Sequence, residues 1–238
     1  MPQPPVDIQP ERIRAAVFDL GGVLMGGGPS EVIAFGDRIG LDSNHWDLLR
    51  REVFGNHGTW ARLERGECSL AEFIEGLRAT IAAGGTHVTA EDAATFLGVA
   101  DPFAKRAVFR TRMLDRVRAL HAVMPTALLT NNVREWRDSW RTALDLAGLF
   151  DAVVDSSEVG ARKPEPLIYE ITRERLGIAH DGIFFVDDIG QNLKTARSLG
   201  WQTYLFRKEE EALATLDAVL AAAQAAAQRG PVRGSTRP

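Results

Sequence analysis

The sequence contains a single cysteine, Cys68, among its 238 residues. One cysteine excludes an intramolecular disulfide bond and a zinc site built from several thiolates. No apolar run approaches the roughly 18 residues that a membrane-spanning helix requires. The first 14 residues also lack the apolar stretch of a secretory signal. We therefore expect a cytoplasmic protein without a membrane-embedded segment.

The sequence also lacks an excess of positive charge. Lysine and arginine total 28, whereas aspartate and glutamate total 32, and the net charge is −4. Nucleic acids and anionic membranes attract proteins mainly through clustered positive charge. We therefore expect no nucleic acid and no membrane as a partner. The length is sufficient for one large domain or two modest ones.

Short apolar runs alternate with helical patterns in much of the sequence. The runs typical of buried strands are at 13–20, 126–130, 152–155, 183–186 and 203–206. The helical patterns that follow the second and later runs cover 133–147, 165–176, 190–199 and 209–228. Strands that alternate with helices predict an α/β fold with a Rossmann-like parallel sheet.

A block of helical patterns interrupts this alternation after the first strand. Within the block, Ser69 precedes apolar residues at helical spacing, and Glu72 completes a capping-box pattern. We interpret the block as a helical cap inserted into the α/β core. The predicted parts are a flexible leader at 1–12, a core at 13–28 and 112–230, a cap at 29–111 and a disordered tail at 231–238.

Polar side chains lie at or just after the carboxyl ends of four predicted strands. They are Asp19, Thr130, Asn131, Lys163, Asp187 and Asp188. In an open parallel sheet the carboxyl ends of the strands meet at one edge, where ligands bind. We therefore expect these six side chains to converge on one site.

Three of the six residues are carboxylates, and like charges at close range raise one another's pKa. A hard divalent cation relieves the repulsion, and oxygen ligands of this kind suit magnesium. Magnesium takes only one or two carboxylates, so Asp19 would keep an oxygen free as a nucleophile. The cation and Lys163 would screen a phosphate ester, whose oxygens Thr130 would help to hold. The set predicts phosphoryl transfer through an aspartyl-phosphate.

Four segments resemble the motifs of a known family. They are FDLGGVL at 18–24, LLTNN at 128–132, SSEVGARKPEP at 156–166 and FVDDIGQNL at 185–193. In this order they are similar to the haloacid dehalogenase superfamily. The last two look most like the subgroup related to the phosphatase domain of soluble epoxide hydrolase, and the segment at 60–67 resembles that subgroup's helical cap.

The resemblance implies a phosphatase with Asp19 as its nucleophile. Lys163 would steady the phosphoryl group and the nucleophile, and Thr130 would bind the phosphate together with Asn131. These roles belong to the family motifs that the four residues match.

The resemblance also implies a magnesium site. Asp188 would bind the ion directly, together with Asp19 and the backbone carbonyl of Gly21. Asp187 would act more through water or hydrogen bonds than as a direct ligand.

Gly21 departs from the superfamily pattern. Most similar phosphatases carry a second aspartate at this position, and it protonates the leaving oxygen. Loss of a general acid typically lowers the rate by about 10²–10⁴-fold. Water, Glu64 and His57 stay open as sources of the proton.

The leading hypothesis is a magnesium-dependent phosphatase that hydrolyses a small phosphorylated metabolite. Gly21 favours one alternative, a catalytically weak domain that binds a phosphorylated ligand or a protein partner. A 2-haloacid dehalogenase is the other alternative, since halide leaves without a proton, but the pair Asp187-Asp188 favours metal and phosphate. The substrate stays open, as does assembly as a monomer or a homodimer.

Several of these residues also have a purely structural interpretation. Lys163 is compatible with a surface lysine and Thr130 with a helix N-cap. Asp187 and Asp188 are compatible with a solvated pair at a helix start. Asn192 fits a contact with the site and a place on the helix surface equally well.

Overall fold

The computed structural model describes residues 8–26, 36–37, 39–96 and 108–229. Within these residues a five-stranded sheet is formed by β1 (Ala15–Phe18), β2 (Thr126–Thr130), β3 (Ala152–Asp155), β4 (Ile183–Asp187) and β5 (Gln202–Leu205). All neighbouring strands are parallel, and their spatial order is β3-β2-β1-β4-β5. The predicted Rossmann-like α/β fold is confirmed.

Helices surround this sheet, and five of those in the described ranges lie between β1 and β2 in the chain. The α-helices are α1 (Ser43–Leu48), α2 (Thr59–Glu64), α3 (Leu70–Ala83), α4 (Ala90–Phe96), α5 (Thr111–His121), α6 (Arg137–Ala143), α7 (Ser156–Val159), α8 (Pro166–Leu176), α9 (Gly190–Ser198) and α10 (Glu209–Arg229). A π-helical turn, Leu49–Val53, continues α1, and shorter 3-10 turns occupy Pro10–Arg12, Arg134–Trp136 and His180–Gly182. No helix in the described ranges combines the length and the apolar character needed to cross a membrane.

The central strands are buried on both faces, because helices pack on each side of the sheet. Phe18 and Phe184 share one hydrophobic cluster with side chains of α5 and α10. Val17 and Phe185 belong to a second cluster with side chains of α8 and α9. Successive strand residues point to opposite faces, so strands covered on both sides appear as continuous apolar runs.

The strands predicted at 126–130 and 152–155 have the predicted bounds, whereas the helix predicted at 133–147 is too long. Helix α6 ends at Ala143 because Leu144 is extended, with φ −124° and ψ 141°. Leu144 turns into the sheet's hydrophobic cluster. The carboxylate of Asp145 then accepts the amide of Gly148 at 3.1 Å, which forms a turn instead of another helical turn.

The part of the predicted leader that the structure describes is packed rather than loose. Ile8 is buried, and the turn Pro10–Arg12 lies against α10. The amide of Gln9 donates to Oε1 of Gln202 at 2.6 Å, and Nε2 of Gln202 donates to the carbonyl of Gln9 at 3.3 Å. These contacts hold the segment, which has few apolar residues, against the edge strand β5. Residues 1–7 and the predicted disordered tail at 231–238 lie outside the described residues.

The helices α1–α4 pack around a hydrophobic cluster of their own. Phe73, Leu77 and Ile81 of α3 lie at its centre. Two residues that follow β2, Val133 and Trp136, belong to the same cluster. The helical block is therefore anchored on the loop that leaves the end of β2.

Helix α3 begins with the capping box predicted from the sequence. Oγ of Ser69 accepts the amide of Glu72 at 3.2 Å, and the carboxylate of Glu72 accepts the amide of Ser69 at 2.7 Å. The two bonds satisfy two backbone N–H groups at the helix start that lack intrahelical partners.

The two linkers that join the helical block to the sheet are described next to the sheet, at 24–26 and 108–110, and these two segments run side by side. The amide of Gly26 donates to the carbonyl of Val108 at 2.9 Å, and the amide of Arg110 donates to the carbonyl of Leu24 at 2.8 Å. The chain therefore leaves the core and re-enters it at neighbouring positions.

Candidate functional site

Charged side chains meet at the carboxyl edge of the sheet, as the sequence predicted. Asp19, Asp187 and Asp188 each offer a carboxylate oxygen, and these oxygens lie within 4.8 Å of one another. The amide of Asp19 donates to the carbonyl of Val186 at 3.0 Å, which holds Asp19 at the end of β1. Nζ of Lys163 lies 2.8 Å from Oδ1 of Asp19 and 2.8 Å from Oδ2 of Asp187. Lys163 is 1% exposed, so its interpretation as a surface lysine is wrong.

Burial and repulsion perturb these groups. Burial raises the pKa of Asp19 from 3.8 to about 8, although Lys163 beside it acts in the opposite direction. Burial and the neighbouring Asp187 raise the pKa of Asp188. Burial disfavours the charge of Lys163, but Asp187 and Asp19 outweigh burial and raise its pKa. One ammonium does not balance three carboxylates, so this edge favours an additional cation.

Asp187 is held by protein groups on both of its oxygens. Oδ1 accepts the amide of Ile189 at 2.7 Å and Nδ2 of Asn192 at 3.1 Å. Oδ2 accepts Nζ of Lys163 at 2.8 Å and Nδ2 of Asn192 at 3.1 Å. The residue is fully buried, so its interpretation as part of a solvated pair is wrong. Its contacts favour orientation of Lys163 over direct metal ligation, and they place Asn192 at the site rather than on the helix surface.

Gly21 and Gly22, which follow Asp19 and Leu20, differ in whether the structure leaves space for a side chain. At Gly22 φ is +76°, and an added Cβ would lie 2.2 Å from Oδ2 of Asp188, so a side chain there would strain the backbone and displace Asp188. At Gly21 an added Cβ would meet nothing within 4 Å. The position where the family resemblance leads us to expect an aspartate is therefore open. Packing does not impose glycine at residue 21, and the need for Gly22 was missed in the sequence.

Thr130 and Asn131 lie where β2 ends. Thr130 is the buried last residue of that strand and the next α-helix begins at Arg137, so its interpretation as an N-cap is wrong. The side-chain amide of Asn131 binds the backbone of Lys163: Oδ1 accepts its N–H at 2.8 Å, and Nδ2 donates to its carbonyl at 2.9 Å. Phosphate binding by Thr130 and Asn131 stays a prediction. The observed role of Asn131 is to tie the Lys163 loop to β2.

Glu64, the last residue of α2, reaches the same loop from the helical block. Its Oε2 accepts Nε of Arg162 at 2.5 Å and Nδ2 of Asn131 at 3.4 Å. Burial raises the pKa of its carboxyl, although Arg162 beside it has the opposite effect. His57, the other side chain considered as a proton source, is exposed. The partners Glu64 and Arg162 are 98 residues apart, and no sequence pattern connects them.

Sequence comparison relates this chain to parts of larger proteins. It is 31% identical over 210 residues to acyl-CoA dehydrogenase family member 10 of Mus musculus, a match that covers 87% of this chain and 19% of that protein. It is 27% identical over 227 residues to bifunctional epoxide hydrolase 2 of Sus scrofa, which covers 87% of this chain and 39% of that protein. The chain thus spans less than two fifths of the length of these relatives. The second match confirms the resemblance to the epoxide hydrolase subgroup.

Structure comparison gives the same relationship. A HAD family enzyme from Bacteroides thetaiotaomicron, in complex with magnesium and inorganic phosphate, matches with a TM-score of 0.61 and 26% identity over 83% of this chain and 96% of that chain. The sequence profile described as haloacid dehalogenase-like hydrolase matches residues 13–200, a span that includes every residue of the predicted site. The chain belongs to the haloacid dehalogenase-like hydrolase family.

Proposed function

We propose that the protein is a magnesium-dependent phosphatase that hydrolyses a small phosphorylated metabolite through an aspartyl-phosphate on Asp19. The position of Lys163 carries the proposal, because its ammonium lies 2.8 Å from both Asp19 and Asp187 beside a third carboxylate, Asp188. Such a set attracts a cation through its carboxylates and a phosphate through its ammonium. The magnesium and inorganic phosphate bound to the Bacteroides enzyme support the same combination.

The donor set fits magnesium. Asp19 and Asp188 offer carboxylate oxygens, and the family resemblance adds the backbone carbonyl of Gly21; all are hard donors of the kind that magnesium prefers. Both oxygens of Asp187 already accept hydrogen bonds from protein groups, so it supports the site by orienting Lys163. Bound magnesium would neutralise charge on the phosphate and on the attacking carboxylate.

Asp19 is oriented for attack by two donors on the same oxygen. Its Oδ1 is bound by Nζ of Lys163 at 2.8 Å and by the amide of Leu20 at 2.7 Å. This same oxygen would also bind magnesium beside the two donors, so that Oδ2 would be the nucleophile. Oδ2 would form a bond to phosphorus as the ester P–O bond breaks, and the leaving oxygen would take the electron pair. Water would then attack phosphorus, release inorganic phosphate and regenerate Asp19. Lys163 would stabilise negative charge on the phosphoryl oxygens in both steps.

The leaving oxygen needs a proton unless it is stable as an anion, and Gly21 supplies none. We expect good leaving groups to react faster than basic ones, because a missing general acid affects the basic ones most. The same feature favours a second candidate function, a domain that binds a phosphorylated ligand with little turnover.

Hydrolysis of 4-nitrophenyl phosphate with and without magnesium tests the proposal, because its leaving group needs little protonation. We expect magnesium-dependent turnover in the wild type and none in Asp19→Asn, which keeps the shape of the side chain but removes the nucleophile. Turnover that survives in Asp19→Asn would contradict the mechanism. Chloride release from 2-chloropropionate, with no phosphatase activity, would identify the dehalogenase alternative.

The pair Gly21→Asp and Gly21→Asn separates the phosphatase from the binding domain. An added Cβ at residue 21 meets nothing within 4 Å, so both variants should fold, but only aspartate can donate a proton. On phenyl phosphate, whose leaving group is more basic than 4-nitrophenolate, an active wild type that Gly21→Asp accelerates and Gly21→Asn does not would support the phosphatase. Activity that appears only in Gly21→Asp would indicate a binding domain whose catalysis is disabled.

A further inference from the structure

Two ion pairs join the helical block to both sides of Lys163. Glu64 and Arg65 are neighbours at the end of α2, and Arg162 and Glu165 flank Lys163. Oε2 of Glu64 lies 2.5 Å from Nε of Arg162, and Nη1 of Arg65 lies 2.8 Å from Oε1 of Glu165. The amide of Arg162 also donates to Oε2 of Glu165 at 3.1 Å, which closes the loop around Lys163. We call Glu64, Arg65, Arg162 and Glu165 the cap clasp.

The two pairs of the cap clasp differ in burial. The side chains of Glu64 and Arg162 are 8% and 12% exposed, whereas those of Arg65 and Glu165 are 14% and 36% exposed. A buried charge that loses its partner is strongly destabilising, whereas an exposed pair contributes little. Glu64 and Arg162 therefore constrain each other more tightly than the outer pair does.

A short series of hydrogen bonds connects Glu64 with the backbone of Lys163. Oε2 of Glu64 accepts Nδ2 of Asn131 at 3.4 Å in addition to Nε of Arg162. Asn131 binds the backbone N–H and carbonyl of Lys163 at 2.8 and 2.9 Å. Nζ of Lys163 then lies 2.8 Å from Asp19. Glu64 thus contacts the residue before Lys163 in the chain and the residue that holds the Lys163 backbone.

We propose that Glu64 is a positioning residue, whose carboxylate fixes Arg162 and Asn131 and thereby sets Lys163 against Asp19 when α2 is docked on the core. The inference rests on the proposed phosphatase function. Displacement of α2 would remove the contacts of Glu64 with Arg162 in the loop and with Asn131 at the end of β2. A misplacement of about 1 Å at a reacting group can lower a rate about 100-fold, so docking of the cap would couple directly to the chemical step.

Three variants separate positioning from folding, and the single variants Arg162→Met and Arg162→Lys add a test of rescue. Glu64→Leu/Arg162→Met replaces the buried pair by apolar side chains of similar volume, a change that is often neutral or stabilising for the fold. Glu64→Gln keeps the volume and removes the charge. Arg134→Met is the matched control, because Arg134 joins the core to the cap through the carbonyl of Gly66 at 2.7 Å rather than through the Lys163 loop.

We expect kcat for 4-nitrophenyl phosphate to fall about 10- to 100-fold in Glu64→Leu/Arg162→Met, more than KM changes, while the melting temperature stays near that of the wild type. Arg134→Met should keep the wild-type kcat. Arg162→Lys, which retains a cation for Glu64, should recover most of the activity that Arg162→Met loses. A merely structural role for the pair would change the melting temperature and leave kcat unaltered.

Three kinetic outcomes would overturn the inference. One is a wild-type kcat in Glu64→Leu/Arg162→Met. Another is a loss of kcat in Arg134→Met equal to that in Glu64→Leu/Arg162→Met, because any weakening of the contact between cap and core would then be enough to lower kcat. The third is a loss of kcat in Glu64→Gln that is much greater for phenyl phosphate than for 4-nitrophenyl phosphate. The leaving group of phenyl phosphate is more basic than 4-nitrophenolate. That result would make Glu64 the missing general acid.

Hydrogen–deuterium exchange distinguishes failure of this inference from failure of the proposed function. If the wild type hydrolyses no phosphate ester, the phosphatase proposal fails, but the link from Glu64 to Lys163 is still measurable. The amides of 161–165 should exchange faster in Glu64→Leu/Arg162→Met and at the wild-type rate in Arg134→Met. Unchanged exchange in the double variant would overturn the positioning role.

Discussion

Gly22→Ala is expected to displace Asp188. The turn after β1 passes so close to this carboxylate that an added Cβ would lie 2.2 Å from Oδ2 and 2.5 Å from Cγ. The backbone φ of +76° adds strain of its own, since residues with a side chain rarely adopt it. The contact with Asp188 and the backbone strain both arise from the side chain added at residue 22. Only the contact with Asp188 affects the acidic edge.

The size of the effect follows from these two contributions. A left-handed conformation costs alanine about 1–2 kcal/mol. Moving Asp188 off its rotamer to relieve the contact costs about 0.5–1.5 kcal/mol. Together they lower the free energy of unfolding by about 1.5–3.5 kcal/mol, which for a domain of this size is a fall of roughly 3–14 °C in melting temperature.

Gly177→Ala is the matched control for the backbone contribution. Gly177 ends α8 with φ +65°, and an added Cβ there meets nothing within 4 Å. It should lose about 1–2 kcal/mol from conformation alone. Because it lies outside the acidic edge, magnesium should stabilise it as much as the wild type.

Differential scanning fluorimetry with and without magnesium chloride measures both quantities. A ligand at 100 times its Kd stabilises the fold by about 2.7 kcal/mol, which is a clear rise in melting temperature. Gly22→Ala should lose most of that rise and Gly177→Ala should keep it. A full magnesium response in Gly22→Ala would refute the reasoning, because Asp188 would then be either undisplaced or unnecessary for the metal.

Three further predictions concern charge and the cap. Asp188→Asn removes a carboxylate whose charge burial and the neighbouring Asp187 disfavour, so it should raise the melting temperature of the metal-free protein and abolish its response to magnesium in fluorimetry. Burial raises the pKa of Asp19 from 3.8 to about 8, so between these values the folded state keeps a proton that the unfolded state releases. The free energy of unfolding without metal should therefore fall as pH rises from about 4 to about 8, by at most about 1.4 kcal/mol per pH unit for this group, and urea titrations of Asp19→Asn should show a flatter dependence. Ser69→Ala removes the cap of α3 and should lower the free energy of unfolding by about 1 kcal/mol in urea titrations without changing kcat.

The sheet and the acidic edge could be predicted because both depend on local pattern. The strands are short apolar runs, and the residues at the ends of β1 and β4 are carboxylates. Once the strands are known to be parallel, Asp19 and Asp187 must lie at one edge. The prediction therefore needed only the identity and order of the strands, which the apolar runs supply.

The contacts that complete the site could not be predicted, because they join distant segments. Glu64 and Arg162 are 98 residues apart, and Asn131 and Lys163 are 32 apart. Each of these residue types is common on protein surfaces, and neither spacing has a periodicity that identifies a pair. Gly22 was missed for a similar reason, since the atom that excludes a side chain there belongs to Asp188.

The overlong helix at 133–147 shows how a helical pattern can mislead. Trp136 and Trp140 lie four residues apart, which is typical of one helix face. In the structure they serve two different clusters: Trp136 packs with the helical block and Trp140 with the sheet. The two tryptophans therefore belong to a segment that passes from the cluster of the helical block to the cluster of the sheet. Only part of that segment is α-helical.

The helical block leaves and re-enters the core through the adjacent segments 24–26 and 108–110, so another insert could replace it at that point. Gly26 and Val108 are hydrogen-bonded neighbours at 2.9 Å, so a different insert could enter and leave at the same point without altering a strand of the sheet. Such an exchange would have one fixed requirement. Val133 and Trp136 are buried by the helical block, and any replacement must cover these two apolar side chains. Exchange of the helical block for another insert would thus be limited less by the linkers than by the need to bury Val133 and Trp136.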